Sequence, residues 1–235
     1  MRKFIALSLS LLCFLGGLFG CGKKETDAAD LERLAAEYRA NKIAAYLQEN
    51  ETYSDFEVDV VFLGDSLTDL YDVAKYYPQY VVLNRGIGGD TTVGLESRLQ
   101  VSLYDVQPKV AVMLIGANNM GEMMDNYQSI LQGFTQNAPN TQIVLLSLTS
   151  MSGEWGKNNQ LAAYNNVQIK MLAEKYGFGY VDLYSALLHL ETGEIYPEYT
   201  TDGGHLTSLG YEILTAEITP AIEQALALWE LKQKE

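Results

Sequence analysis

The chain has 235 residues, 48% of them hydrophobic, which is enough to bury one sizeable core. Nothing in its composition indicates disorder or a repeat array. Its formal net charge is −14, and a surface this acidic is repelled by phosphate backbones and anionic membranes. Composition therefore argues against a nucleic-acid-binding protein.

The first 20 residues predict an export signal. Arg2 and Lys3 precede an uncharged stretch over residues 4–20, which is short for a membrane-spanning helix of ~20 residues but suits a signal peptide. Leu18-Phe19-Gly20-Cys21 then resembles a bacterial lipobox, with Phe19 where a smaller residue is usual. The resemblance implies lipidation of Cys21. An ordinary secretory signal cleaved nearby and an uncleaved anchor remain alternatives.

Both cysteines, Cys13 and Cys21, lie in this leader region. The rest of the chain therefore has no means of forming a disulfide framework, a cysteine-ligated metal site or a cysteine nucleophile. A lipidated Cys21 would hold the protein at the outer face of a bacterial membrane with its folded domain in water. We expect an extracytoplasmic protein, anchored in this way or secreted.

Downstream of the leader, the pattern alternates between helices and strands. Apolar residues at helical spacing predict a helix over residues 30–49. Short apolar runs typical of buried strands follow at residues 58–63, 80–84, 110–115, 143–148 and 179–183. Helical segments are predicted at residues 72–77, 93–103, 126–137, 158–176 and from 207 or 208 onward, the last kinked or split by Pro220. Such alternation predicts a parallel sheet with helices on both faces.

The first apolar strand ends in Gly64-Asp65-Ser66, which would present a serine hydroxyl at the edge of the sheet. A serine in this position is, taken alone, more typical of a helix N-cap. A serine nucleophile needs a general base that is itself oriented by a third group. His205 has Asp202 three residues before it and fits that requirement. His189 is flanked by leucines and is interpreted as structural.

Four segments together carry a family resemblance. They are GDS at residues 64–66, NRGIGGDTT at 84–92, GANN at 116–119 and DGGHL at 202–206. In this order they resemble the SGNH (GDSL) hydrolase superfamily, and within it bacterial relatives of the platelet-activating-factor acetylhydrolase catalytic subunit. The resemblance covers about residues 58–225. It implies a three-layer α/β/α, flavodoxin-like fold with a five-stranded parallel sheet in the order 2-1-3-4-5.

The resemblance also implies a division of the chain and a set of roles. The predicted units are a signal peptide over residues 1–20, a lipidated tether over 21–30 and a hydrolase domain with an N-terminal helix over 31–235. Ser66 is the implied nucleophile, His205 the base and Asp202 the orienting acid. The backbone N–H groups of Ser66 and Gly89 and the side-chain amide of Asn118 are the implied oxyanion donors. No metal or organic cofactor is implied.

Three residues near these motifs are predicted to have supporting roles. Asn119 stands where many superfamily members have Asp, and we interpret it as support for the loops. Asp65 is interpreted as a brace beside the nucleophile, outside the triad. Asn84 is its predicted neighbour across the edge of the sheet.

Aromatic residues suggest where a substrate binds. Trp155, in the segment over residues 149–159, is predicted to line the acyl or alcohol pocket together with Tyr196 and Tyr199. Ordinary loop aromatics are an equally open interpretation. The leading hypothesis is an esterase that removes short acyl groups, such as acetyl, from carbohydrate or small ester substrates. A lysophospholipase or thioesterase acting on lipids, and a non-catalytic binding protein on the same scaffold, are the alternatives.

Overall fold

The structure, a computed structural model, describes residues 27–234. A long helix, α1 (Ala28–Asn50), precedes the first strand, β1 (Val60–Gly64). Because α1 begins two residues before the predicted start, its first turn occupies the end of the segment predicted as a tether. The predicted signal peptide and Cys21 lie outside the described residues.

Five parallel strands form the central sheet. They are β1, β2 (Val82–Gly86), β3 (Val110–Leu114), β4 (Gln142–Leu146) and β5 (Gly179–Val181). Their order is β2-β1-β3-β4-β5, which confirms the predicted fold. Gly64 at the end of β1 pairs with Gly86 and Leu114, the last residues of its two neighbours. The segments that follow these three strands therefore emerge side by side at one edge.

Helices between the strands cover both faces of the sheet. In chain order they are α2 (Ser66–Asp69), α3 (Val73–Tyr76), α4 (Thr92–Glu96), α5 (Met123–Asn137), α6 (Gly153–Gly156), α7 (Asn159–Tyr176), α8 (Leu183–Leu187) and α9 (Ser208–Lys232). An antiparallel pair, β6 (Leu188–His189) and β7 (Glu194–Ile195), lies between α8 and α9. Within residues 27–234, no helix has the length and apolar character needed to cross a membrane.

Each strand contributes to two cores, because successive side chains point to opposite faces of a sheet. Val61 and Leu63 of β1 pack on the face covered by α5 and α7. Val60 and Phe62 pack on the other face, against α9 and the short helices after β1. Burial on both faces explains why these strands are apolar throughout instead of alternating with polar residues.

Two helices differ from their predicted form. The helix α9 is continuous through Pro220. Pro220 lies on its exposed side, while Ile218 and Ile222 are fully buried against the sheet. This packing holds the helix together although proline removes a backbone hydrogen bond.

The helix predicted over residues 93–103 is instead the short α4, followed by a wider π-helical turn at Gln100–Tyr104. The apolar spacing was a sound guide to burial, since Leu95, Leu99 and Leu103 are all in the core. Between the two turns, however, the side chain of Arg98 is buried and donates to the backbone carbonyls of Gly64 and Arg85. Hydropathy spacing carries no information about such a contact.

Candidate active site

Ser66 is the first residue of α2, directly after β1. The preceding Asp65 is the N-cap of this helix, and its Oδ1 accepts a hydrogen bond from the backbone N–H of Leu67 at 3.1 Å. The cap ends the strand and begins the helix within two residues. This sharp change of direction leaves Ser66 half-buried at the carboxyl edge of the sheet, where ligands bind in open α/β folds.

The loop that carries Asp202 and His205 is held in place by backbone contacts. Thr200 Oγ1 donates to the carbonyl of His205 at 2.7 Å and accepts from the N–H of Gly203 at 2.8 Å. Gly203 has a φ of +91°, and a Cβ atom there would lie 2.4 Å from the carbonyl oxygen of Ser152. Only glycine fits such a position without displacing the backbone.

The structure brings the three predicted triad residues into one hydrogen-bonded series. The His205 Nε2 atom lies 3.0 Å from Ser66 Oγ, and the His205 Nδ1 atom lies 2.8 Å from Asp202 Oδ2. The other carboxylate oxygen of Asp202 accepts the backbone N–H groups of His205 and Gly204, at 2.7 and 2.9 Å. The carboxylate thus fixes both the ring and the backbone of the histidine.

The environment of Asp202 favours its charged form. Partial burial on its own would raise the pKa of this carboxyl group. The hydrogen bonds from the backbone and imidazole of His205 and from Gly204 together outweigh burial, and they hold the pKa of Asp202 below its usual value. A carboxylate that stays ionised can stabilise an imidazolium formed next to it.

The predicted oxyanion donors come from three different loops. Gly89 has a φ of +76°, a left-handed conformation that glycine adopts at low cost. Across the described part of the chain, the N–H groups of Ser66 and Gly89 have no protein acceptor. One hydrogen of the Asn118 side-chain amide is donated to the carbonyl of Asp90 at 2.8 Å. Its second amide hydrogen leaves a donor for a substrate oxygen.

Asp65 and its surroundings differ in part from the sequence-based interpretation. Asp65 is 1% exposed, and burial, the main cause, raises its pKa to about 7. Asn84 does not contact it: the Asn84 amide donates to the carbonyls of Thr68 and Tyr71, and its oxygen accepts the Gly86 N–H. Asn84, predicted as the neighbour of Asp65 across the edge of the sheet, thus bonds the turn that follows Ser66 and not the Asp65 carboxylate.

Asn119 has the supporting geometry that its sequence position suggested. Its side-chain oxygen accepts the N–H of Thr92 at 3.3 Å, and its amide donates to the Thr92 hydroxyl at 2.8 Å. Asn119 thereby links the loop after β3 to the start of α4.

A small cavity of about 30 Å³ adjoins Ser66. Its walls combine catalytic candidates with apolar side chains: Asp65, Ser66, Leu67, Ala117, Asn118, Thr149, Met151, Trp155, Gly204 and His205. Trp155 is thus at the cavity, as predicted. Tyr196 and Tyr199 are not part of its lining; Tyr196 packs against Tyr199 and His189 instead. The prediction that these two tyrosines line the pocket therefore has no support in the cavity.

Several residues of the site were missed in the sequence. Met151, Leu67 and Ala117 line the cavity, and only the neighbourhood of a motif could have indicated them. Asp90, which follows Gly89, pairs with buried Arg98 and with Arg39 of the distant helix α1. The position of Asp90 beside Gly89 is visible in the sequence. Its pairing is not, because Arg98 and Arg39 are 8 and 51 residues away in the chain.

An alcohol, an imidazole and a carboxylate in series, with N–H donors nearby, form the arrangement used by serine hydrolases. No cluster of three or more His, Cys, Asp or Glu side chains within residues 27–234 is placed to hold a metal ion. The fold is thus a parallel α/β sheet, and its candidate site has the arrangement of a serine hydrolase. The chain belongs to the GDSL-like lipase/acylhydrolase family, whose profile matches residues 62–213, and its general activity is hydrolysis of esters.

Individual relatives agree with this assignment. The human platelet-activating factor acetylhydrolase IB subunit alpha2 is 30% identical over 182 residues, covering 73% of this chain and 79% of the relative. A GDSL-like lipase from Bacteroides thetaiotaomicron is 25% identical, with a TM-score of 0.70, 78% of this chain covered and 98% of the other. An acetylxylan esterase from Geobacillus stearothermophilus shares the fold, with a TM-score of 0.61 and 18% identity over 72% of this chain and 95% of that one.

Proposed function

We propose that the protein is a serine esterase that removes short acyl groups, acetyl above all, from carbohydrate or other small ester substrates through an acyl-enzyme. The observation that carries the proposal is the 3.0 Å contact between Ser66 Oγ and His205 Nε2 beside a cavity of about 30 Å³. The contact supplies an activated nucleophile, and the cavity limits what the nucleophile can reach.

The reaction follows from the roles of the three side chains. His205 Nε2 takes the proton of Ser66 as Oγ attacks the ester carbonyl carbon, and Asp202 stabilises the resulting imidazolium. The negative charge on the carbonyl oxygen is met by the N–H groups of Ser66 and Gly89 and the amide of Asn118. His205 returns the proton to the leaving alcohol. Water, deprotonated by His205, then releases the acid from Ser66.

The size of the cavity supports a short acyl group. The enclosed space beside Ser66 is only about 30 Å³, which favours a small acyl group over a long one. The human relative is also named as an acetylhydrolase, an enzyme for an acetyl ester.

The alcohol side of the substrate is proposed from Trp155. The Trp155 ring packs against Gly204, the residue before His205. A Cβ atom added to Gly204 would lie 3.2 Å from this ring. An aromatic ring at the mouth of a small acyl cavity suits the apolar face of a sugar. We therefore propose carbohydrate esters as the leading class of natural substrate.

The site of action is a separate proposal that rests on the leader sequence. A lipid on Cys21 would keep the enzyme on the outer face of a bacterial membrane with its domain in water. Secretion after ordinary signal cleavage is the alternative.

The experiment compares detergent-solubilised full-length wild type with Ser66→Ala on p-nitrophenyl acetate. We expect the variant to lose at least about 10³-fold in kcat, because the remaining groups offer no nucleophile. Ser185→Ala is the matched control, since its hydroxyl also makes a side-chain hydrogen bond, to the carboxylate of Asp182 at 2.7 Å, but lies outside the site. Appreciable turnover by a folded Ser66→Ala enzyme would contradict the assignment.

Esters of graded acyl length test the chain-length claim. The proposal predicts that kcat/KM falls beyond butyrate, whereas a lysophospholipase or thioesterase would show a rise with length. Labelling by a fluorophosphonate probe, absent in Ser66→Ala, distinguishes either enzyme from a binding protein without an activated serine.

A further inference from the structure

The loop that carries the proposed oxyanion donor Gly89 is tied on both sides to the N-terminal helix α1. On one side, the backbone N–H of Gly88 donates to Asp69 Oδ2 at 2.7 Å. Asp69 in turn receives the Tyr38 hydroxyl and the Lys42 ammonium group, both from α1. On the other side of Gly89, the side chain of Asp90 pairs with Arg39, also from α1, at 2.6 Å.

Arg39 does more than pair with one carboxylate. Its Nη1 atom donates to Asp90 Oδ1, while its Nη2 atom donates to the carbonyl of Gly94 at 2.7 Å and to the Ser97 hydroxyl at 3.0 Å. The planar guanidinium group thus holds Asp90 against the second half of the following helix α4 with three directed hydrogen bonds. Lysine could keep the charge but not this geometry.

Asp90 connects Arg39 to two oxyanion donors at once. It follows Gly89 directly in the chain, and its backbone carbonyl accepts one amide hydrogen of Asn118 at 2.8 Å. Its second carboxylate oxygen accepts Arg98 Nε at 2.7 Å, in a pair that is 1% and 3% exposed. A shift of Asp90 would therefore move the Gly89 N–H. It would also break the hydrogen bond that orients the Asn118 amide.

We infer that α1 is a positioning element of the active site and that Arg39 is a positioning residue, which acts through Asp90 on the donors Gly89 and Asn118. The inference rests on the proposed function, since it concerns the oxyanion hole of that reaction. It extends the site to a helix that begins 38 residues before the nucleophile and touches none of the reacting atoms.

Arg39 is a better residue to test than Arg98. Removing one partner of the buried Arg98–Asp90 pair leaves an unpaired buried charge, and the protein could fail to fold. The side chain of Arg39 is 29% exposed, and Asp90 keeps Arg98 when Arg39 is lost. A matched control lies on the same helix: Arg33 is 59% exposed and pairs only with Asp30 and Glu37 of α1 in the described residues.

The experiment measures p-nitrophenyl acetate hydrolysis by the full-length protein as wild type, Arg39→Met, Arg39→Lys and Arg33→Met. We expect kcat to fall about 10-fold in Arg39→Met with KM little changed, because the support of donors used in the transition state is weakened without loss of a donor. Arg39→Lys should recover part of the loss, and Arg33→Met should match wild type. Equal kcat for Arg39→Met and Arg33→Met would overturn the inference.

A double-mutant cycle separates positioning from general destabilisation. If Arg39 acts through the Asn118 contact, Arg39→Met should cost clearly less in the Asn118→Ala background than in wild type. Fully multiplicative losses would mean that the two residues act independently and would refute the proposed route.

A second variant keeps the test decisive if Arg39→Met does not fold. Lys42→Met weakens the other tie, because it removes one of the two α1 contacts that hold Asp69 beside the Gly88 N–H, and it should also lower kcat with little change in KM. Unchanged kcat in a folded Lys42→Met would count against α1 as a positioning element. A wild-type chain with no turnover at all would refute the proposed function itself, and a wild-type chain with turnover but insensitive α1 variants would refute only this inference.

Discussion

The carboxyl group of Asp65 lies next to the nucleophile and is sealed from solvent. One oxygen accepts the Leu67 N–H, while the other, Oδ2, has no partner among the described residues. Desolvation is the main reason that the pKa of Asp65 rises to about 7, from an ordinary value of 3.8. Near neutral pH the group is therefore partly protonated, and ionising it costs folding free energy.

This shift predicts a pH dependence of stability with a definite sign. Between pH 3.8 and about 7 the native state holds the Asp65 proton and the unfolded chain does not. The contribution of Asp65 to the free energy of unfolding is therefore greatest at low pH and falls as pH rises, by at most ~1.4 kcal/mol per unit. Urea unfolding of wild type and Asp65→Asn, measured from pH 4 to pH 8, should give a difference that declines with pH and then levels off. A difference independent of pH would contradict the shift.

At the scale of elements, the loop over residues 202–206 decides whether the triad forms. Its geometry depends on a neighbouring loop, because the N–H of Ser152 donates to the Gly203 carbonyl at 2.9 Å. That neighbouring loop also carries Met151 and Trp155, two walls of the cavity. The position of His205 and the shape of the acyl cavity are thus coupled through one backbone contact.

The loop contact predicts the effect of Gly203→Ala. The new methyl group would meet the Ser152 carbonyl and displace the loop, and a displacement of about 1 Å at His205 can reduce kcat about 100-fold. Gly193→Ala is the control: its φ of +72° gives a similar backbone strain of ~1–2 kcal/mol, but a Cβ atom there meets nothing within 4 Å. We expect the control to lose stability while keeping kcat in the ester assay. Equal kcat values for the two variants would argue against the coupling.

The whole chain is acidic, and its first residues are proposed to be a lipoprotein leader. The formal net charge of −14 for the whole chain gives it no net electrostatic attraction to anionic lipid. Retention at a membrane would then depend on the lipid proposed at Cys21, which lies outside the described residues.

Replacement of this cysteine tests the anchor. In a bacterial host, wild type should be found in the membrane fraction, and Cys21→Ser should shift largely to another fraction or keep an uncleaved leader. Because the active site lies far from Cys21 in the chain, kcat/KM on p-nitrophenyl acetate should be the same for both forms. Membrane retention of both forms with the same processed mass would rule out lipidation of Cys21.

The sequence, through its resemblance to a known family, predicted the family and the strand order, and it indicated the three triad candidates that the fold brings together. Strands buried on both faces must be apolar throughout, and a polar triplet at the end of such a strand is conspicuous. His205 stood out because the chain has only two histidines, one of them flanked by leucines. Local motifs of this kind can be recognised in a sequence without knowing which residues they contact.

The residues that support the site could be identified only from the folded structure. The contacts of Asp90 with Arg39 and Arg98, and the approach of Ser152 to Gly203, join residues far apart in the chain and have no periodicity. The same is true of Pro220, whose helix persists because Ile218 and Ile222 pack on the sheet. Periodicity reports which face of an element is buried, whereas directed hydrogen bonds and close backbone contacts depend on which elements become neighbours.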